Sequence, residues 1–269
     1  MTFPSLLGRL LIAVPGIALF LAVLFLLPSI WGLFLFSTLA VLAGFEASSM
    51  CMRQGLSITA RVLIALLCGV SCCFIALDHP LQLPALILPG AVVTISILST
   101  SGPEHARRRM AGTAGLASLY AMGFGIMGRL FLANGAWVIL AVLAVCWIGD
   151  SAAYFVGIAF GRKKLLPKIS PKKSWEGLFG GLAGSMAGSL AIGHMAGIET
   201  IPLLVLGFAG GIAGVYGDLF ESALKRDAAI KDSSNLLLGH GGILDRFDSA
   251  VVVAPVALVI LHLFGIAAG

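Results

Sequence analysis

Apolar runs, each near the ~20 residues that span a bilayer as helix, alternate with short polar breaks along almost the whole chain. They fall at residues 10–27, 30–45, 61–77, 82–99, 111–131, 135–153, 177–197, 202–220 and 250–268, and so predict an all-α polytopic membrane protein of nine spans. The first run is long, and no small-x-small cleavage site separates it from the second, so it reads as a retained helix rather than a signal peptide. Runs one to four are rich in Leu, Val and Phe, whereas runs five to eight are threaded with Gly and Ala, as in A-G-T-A-G-L-A-S and G-L-F-G-G-L-A-G-S-M-A-G-S. Small residues let helix backbones approach closely, the packing mode that replaces hydrophobic drive inside a membrane. Residues 1–269 are therefore expected to form one membrane domain, with apolar N-terminal helices over 1–100 and a compact functional part over 110–269. That packing is also compatible with a homodimer.

Composition sharpens this picture. A chain that is 59% hydrophobic and 11% charged, with a mean hydropathy of +1.06, is far more apolar than a water-soluble core of this size requires. If the N-terminus is cytoplasmic, sixteen of the 17 Lys and Arg fall in cytoplasmic segments and only Arg129 falls outside. This bias supports the nine-span count and sets the orientation, with the C-terminus outside. The net charge of +5 then reflects topology and anionic headgroups, not a nucleic-acid partner. Cys51, Cys68, Cys72, Cys73 and Cys146 lie in or beside apolar runs without metal-ligand spacing, and read as packing residues.

The polar residues are unevenly shared. Most of the charge sits in two cytoplasmic loops, at about 161–176 and 221–248. Between Ser222 and Asp248 four cations (Lys225, Arg226, Lys231, Arg246) and four carboxylates (Asp227, Asp232, Asp245, Asp248) surround a His240-Gly241-Gly242 turn. Ionisable groups beside a bilayer are costly unless they have a task, and this mixture suits polyanions and metal ions. On a helix continuing from Asp218, residues Asp218, Ser222 and Arg226 share one face, with Glu221 and Lys225 as a neighbouring pair. Asp245 and Asp248 can share a face if the next helix starts there. Hard divalent cations such as Mg²⁺ are commonly bound by one or two carboxylates plus substrate phosphates, which makes Asp218 and Asp245 the first candidate ligands. His240 is either an acid/base group or one that orders the turn.

Asp150 and Asp218 each follow a glycine and are expected to end or interrupt an apolar helix near the cytoplasmic surface. In the other loop Pro167 and Pro171 discourage regular helix. Arg162, Lys163 and Lys164 read as topogenic charge, while Lys172, Lys173 and Ser174 can present ammonium and hydroxyl groups to phosphates. Glu46, beside Ser48 and Ser49, reads as interfacial. The chain has no G-x-x-x-x-G-K-[ST] loop, and Val215 stands where an intramembrane aspartyl protease would carry Gly before Gly217-Asp218.

The run S-A-L-K-R-D-A-A-I-K-D-S-S-N-L-L-L-G-H-G-G-I-L-D-R-F-D resembles the signature of the phosphatidate cytidylyltransferase, or CDP-diacylglycerol synthase, family. Ser222, Lys225-Arg226, Lys231-Asp232, His240-Gly241-Gly242, Asp245-Arg246 and Asp248 fall at the family's spacings. Asp150-Ser151-x-x-Tyr154, Ser170-Pro171-Lys172-Lys173-Ser174-Trp175-Glu176-Gly177 and Gly217-Asp218-x-x-Glu221-Ser222 extend the similarity over about 145–250. One position departs: Leu238 stands where the family usually has Pro or Gly. The resemblance implies condensation of CTP with phosphatidic acid, with Mg²⁺; short loops and a compact chain point to a bacterial inner membrane, and the charge bias to a site on its cytoplasmic face. On that reading Asp218 and Asp245, with Asp248, hold the metal. Lys172, Lys173, Lys225, Arg226, Lys231 and Arg246 meet phosphates, Ser174 and Ser222 are hydrogen-bonding partners, and Asp150, Gly241 and Gly242 complete the substrate site. Two rivals share these parts: a CTP-dependent lipid kinase, and a transporter with a charged cytoplasmic vestibule.

Overall fold

The computed structural model describes residues 6–50, 57–83, 104–167, 169–230, 232–234 and 241–266. Helices dominate: α1 (Leu6–Leu26), α2 (Ser29–Met50), α3 (Ile58–Ala76), α4 (Glu104–Asn134), α5 (Ala136–Phe160), α6 (Trp175–Gly193), α7 (Thr200–Asp227), the short α8 (Leu244–Phe247) and α9 (Ala250–Leu263). The only described strands, β1 (Lys164–Leu166) and β2 (Ser170–Ser174), pair antiparallel as a hairpin between α5 and α6.

Among the described residues six stretches are long and apolar enough to cross a membrane: Ser29–Met50, Ile58–Ala76, Ala114–Asn134, Ala136–Phe160, Thr200–Asp227 and Leu244–Leu263. The helical turns within them satisfy their backbone groups internally, as a spanning segment must. Large apolar side chains such as Phe34, Leu66, Phe155, Phe208 and Leu263 are exposed along them. The chain is an all-α integral membrane protein. α1 and α6 coincide with two further expected runs, and most of the run expected at 82–99 lies outside the described residues.

Several helices outrun their apolar stretch. The apolar pattern ends near residues 153 and 220, but α5 continues to Phe160 and α7 to Asp227. Asp150 and Asp218 therefore sit inside helices and end neither. A single carboxylate does not stop a helix when no Pro follows and every following amide still finds its carbonyl one turn back.

The chain divides into two compact units. The first comprises 1–132 and 224–247. Its core includes Phe36, Ile64, Tyr120, Phe124 and Met127, all fully buried. The Tyr120 hydroxyl donates to the Leu244 carbonyl at 2.7 Å, and Phe124 meets Phe247 edge-on with ring centroids 5.2 Å apart. These contacts seat α8, and with it Asp245, against α4. Arg129 forks onto Asp78 at 2.7 and 3.0 Å. Cys68 and Cys72 are buried and free.

The second unit comprises 133–223 and 248–269. Here α6 meets α5 and α7 through small residues: Ser185 donates to the Val145 carbonyl of α5 at 2.7 Å, and Ser189 donates to that of Leu203 in α7, also at 2.7 Å. The Gly/Ala-rich runs thus place hydroxyls where membrane-embedded carbonyls can use them.

Candidate active site

The second unit holds a cavity of about 590 Å³. Asp150 from α5, Asp218 from α7 and Lys164, Lys172 and Lys173 from the hairpin line it, together with apolar side chains that include Tyr154, Ile158 and Leu178. Lys173 Nζ lies 2.5 Å from Asp218 Oδ2, and the Ser222 hydroxyl donates to Asp218 Oδ1 at 3.2 Å. Asp150 lies within electrostatic reach of both Asp218 and Lys173. The Lys173–Asp218 ion pair thus has a second carboxylate beside it, inside a cavity whose remaining wall is largely hydrocarbon. Such a space accepts an amphiphile with a charged head.

Asp248 belongs to the same unit. A β-carbon at Gly217 would collide with the Asp248 carbonyl, so glycine is what lets the backbone beside Asp218 approach Asp248. Asp248 Oδ1 accepts the Ser249 amide at 2.7 Å. The turn at Asp248 interrupts the helix between Phe247 and Ala250, so the continuous helical face expected for Asp245 and Asp248 does not form.

Three local devices aim the hairpin cations. The Ser174 hydroxyl caps α6 by accepting the Gly177 amide at 3.1 Å, and Ser174 is buried. The expected phosphate partner is thus first a helix cap. The Trp175 amide donates to the Lys163 carbonyl at 2.9 Å. Glu176 Oε2 accepts the Arg162 and Lys163 amides at 3.1 and 3.3 Å. Chiefly its own backbone N–H, and then these two amides, hold the Glu176 carboxyl below its ordinary range against an opposing desolvation. A lowered carboxyl pKa means that the contact persists above the ordinary value of 4.5 and is lost as pH falls through the lowered one. Glu176→Ala is expected to lower substrate affinity about 3- to 10-fold by loosening Lys172 and Lys173, with little change in unfolding temperature. Steady-state KM and a thermal melt check this.

The first unit holds a second polar cluster. Lys225 Nζ lies 2.6 Å from Asp245 Oδ1, with both side chains largely buried. Asp245 Oδ2 accepts the Ser233 hydroxyl at 2.8 Å, the Ser233 amide at 2.9 Å and the Gly242 amide at 2.8 Å. Both oxygens of this expected metal ligand are therefore engaged by protein donors. Gly241 adopts φ +78°, and a β-carbon there would press on the Asp245 carboxylate, which explains one glycine of the turn. The other is explained by Glu46, since a β-carbon at Gly242 would collide with Glu46 Oε2 and Ser233 Oγ.

Glu46 is the group the sequence misplaces. It is buried in α2 and accepts from Ser234, Ile243 and Leu244, with Ser233 Oγ 3.1 Å from its Oε2. Among the remaining predicted residues, Arg226 and Arg246 are exposed, Lys231 and His240 lie outside the described residues, as does Leu238, and Ser222 is bound to Asp218. No group of three or more His, Cys, Asp or Glu with metal-holding geometry occurs among the described residues.

A model of the cytidylyltransferase family matches residues 7–264. The phosphatidate cytidylyltransferase of Pseudomonas aeruginosa is 41% identical over 214 residues, covering 75% of this chain and 78% of that protein. That of Thermotoga maritima is 31% identical over 239 residues, covering 85% and 87% respectively. That of Bacillus subtilis is 46% identical over 132 residues, about half of each chain (48% and 49%).

Proposed function

The chain belongs to the cytidylyltransferase family, and on that premise we propose that it transfers the cytidylyl group of CTP to phosphatidic acid, giving CDP-diacylglycerol and pyrophosphate. The observation that carries this reading is the cavity of the second unit, where Asp150, Asp218, Lys172 and Lys173 meet apolar walls. A diacyl lipid with a phosphate head has that combination of surfaces. An oxygen of the lipid phosphate attacks the α-phosphorus of CTP, the new P–O bond forms, and the bond to the β-phosphate breaks with its electron pair leaving on pyrophosphate. The attacking phosphate is already ionised near neutral pH, so the chain need supply no general base.

What the chain must supply is charge compensation, because two polyanions are brought together. Lys172 and Lys173 are proposed to meet phosphate oxygens in the second unit, and Lys225, Arg226, Lys231 and Arg246 in the polar block. Ser222 orients Asp218 through its hydroxyl, and His240 positions the turn. Asp218 and the neighbouring Asp248 are proposed to hold Mg²⁺. The Lys173 ammonium on Asp218 Oδ2 stands in for such a cation, and oxygen-only donors suit a hard one. When bound, the metal neutralises charge on the transferring phosphoryl group. Asp245, with its oxygens taken by Lys225, Ser233 and Gly242, is proposed to hold Lys225 rather than the metal. The positive-inside bias supports a site on the cytoplasmic side of a bacterial inner membrane, where CTP is available.

Purified protein given CTP, Mg²⁺ and phosphatidic acid is expected to release pyrophosphate and form CDP-diacylglycerol in equal amounts. EDTA should stop both, and added Mg²⁺ should restore them. CDP with a newly phosphorylated lipid would instead identify a kinase, and substrate flux without CTP turnover a transporter.

A further inference from the structure

α2 lies in the N-terminal half that the sequence assigns to apolar anchoring, yet its Glu46 is only 3% exposed. A buried carboxylate is costly unless donors surround it, and every donor described around Glu46 comes from the polar block. Oε1 accepts the Ser234 hydroxyl at 2.6 Å and the Ile243 amide at 3.1 Å. Oε2 accepts the Leu244 amide at 3.0 Å and lies 3.1 Å from Ser233 Oγ. The two hydroxyls precede the glycine turn and the two amides follow it, so one side chain clasps both ends of that loop. The clasp also reaches a cation: Ser233 Oγ is 2.8 Å from Asp245 Oδ2, and Asp245 Oδ1 is 2.6 Å from Lys225 Nζ.

We infer that Glu46 is a positioning residue of the transfer reaction, acting through Ser233 and Asp245 on Lys225 and fixing the seat of the Gly241-Gly242 turn. This rests on the reading that the block from Ser222 to Asp248 handles phosphates. A displacement of about 1 Å in a group that meets the reacting phosphates costs on the order of 100-fold in rate. Three donors and the adjacent Ser233 oxygen, converging on one carboxylate, are the means of preventing it. The fit leaves no slack, because Gly242 has no room for a β-carbon beside Glu46 and Ser233.

Glu46→Gln tests the clasp at nearly constant shape, since an amide nitrogen in place of either oxygen faces a backbone N–H donor. In the purified full chain kcat should fall about 10- to 100-fold, with KM for CTP and for phosphatidic acid changing less than about threefold. Glu46→Asp, which keeps the charge, should recover part of the loss. Amide exchange at Ile243 and Leu244 should quicken in Glu46→Gln while that of α5 and α6 stays as in the parent. A Glu46→Gln protein that turns over at the parent rate overturns the inference. So does one whose loss matches a loss of folded protein with unchanged turnover per active site, for Glu46 would then only stabilise the fold. Should Glu46→Gln fail to fold, Ser234→Ala decides: it removes one donor and leaves every charge in place, and parent turnover in it overturns the inference. If the parent itself makes no CDP-diacylglycerol, the positioning role falls with that reading, and the exchange of Ile243 and Leu244 still reports whether the clasp exists.

Discussion

Asp218→Asn is expected to slow CDP-diacylglycerol formation by about 1,000-fold, the upper range for losing one preorganised electrostatic group at a reacting phosphate or carbonyl. The substitution keeps the shape of the side chain and the helix around it, but removes the charge that Lys173 Nζ meets at 2.5 Å. Excess Mg²⁺ should not restore the rate, because an amide oxygen is a weak ligand for a hard cation. Lys173→Met should cost less, about 10- to 100-fold, and should appear partly in KM, as expected of a group that meets phosphate in the ground state as well. If the ion pair served only to hold α7 to the hairpin, the double variant would regain activity over either single one. Parent-like turnover of Asp218→Asn at limiting Mg²⁺ would remove Asp218 from the metal site altogether.

The contrast between Asp218 and Glu46 shows which part of the site is legible in the sequence. Asp218 sits in an apolar run beside a charged loop, and a carboxylate in hydrocarbon announces a task from its neighbours alone. Glu46 stands before Ser48 and Ser49 at the end of a run, where a carboxylate ordinarily meets water. Its partners lie 187 to 198 residues further along the chain, a separation at which local pattern carries no signal. The helices α1 to α7 and α9 are readable for the same reason as Asp218: without water in the bilayer, length and apolarity alone decide the backbone state. Their ends are less readable, because a helix may run beyond its apolar stretch, as α5 and α7 do. The hairpin at Lys164–Ser174 escapes the pattern too. Pro167 and Pro171 argue against helix there, but the pairing depends on Glu176 and Ser174 gripping backbone amides, contacts that no periodicity encodes.

The Lys225–Asp245 pair sets the other large expectation, and here stability and activity should part. Asp245 receives the ammonium, one hydroxyl and two amides, so Asp245→Asn turns an acceptor surrounded by donors into a group that is itself half donor. Breaking a buried, multiply bonded charge in this way costs about 3–5 kcal/mol, and the apparent unfolding temperature in detergent should drop by several degrees. Lys225→Met leaves the carboxylate its three other donors and lets a flexible apolar chain fill the space, so its stability loss should be smaller, about 1–2 kcal/mol. Turnover should reverse the order. If Lys225 meets phosphate, Lys225→Met removes the acting group itself and should cost about 100- to 1,000-fold in kcat, whereas folded Asp245→Asn keeps the ammonium and loses only its aim. The double variant closes the cycle: a coupling energy near 2 kcal/mol in stability would measure the pair, and a rate no lower than that of Lys225→Met would show that Asp245 acts through Lys225. A double variant much slower than Lys225→Met would instead return Asp245 to a direct role on the substrate or the metal.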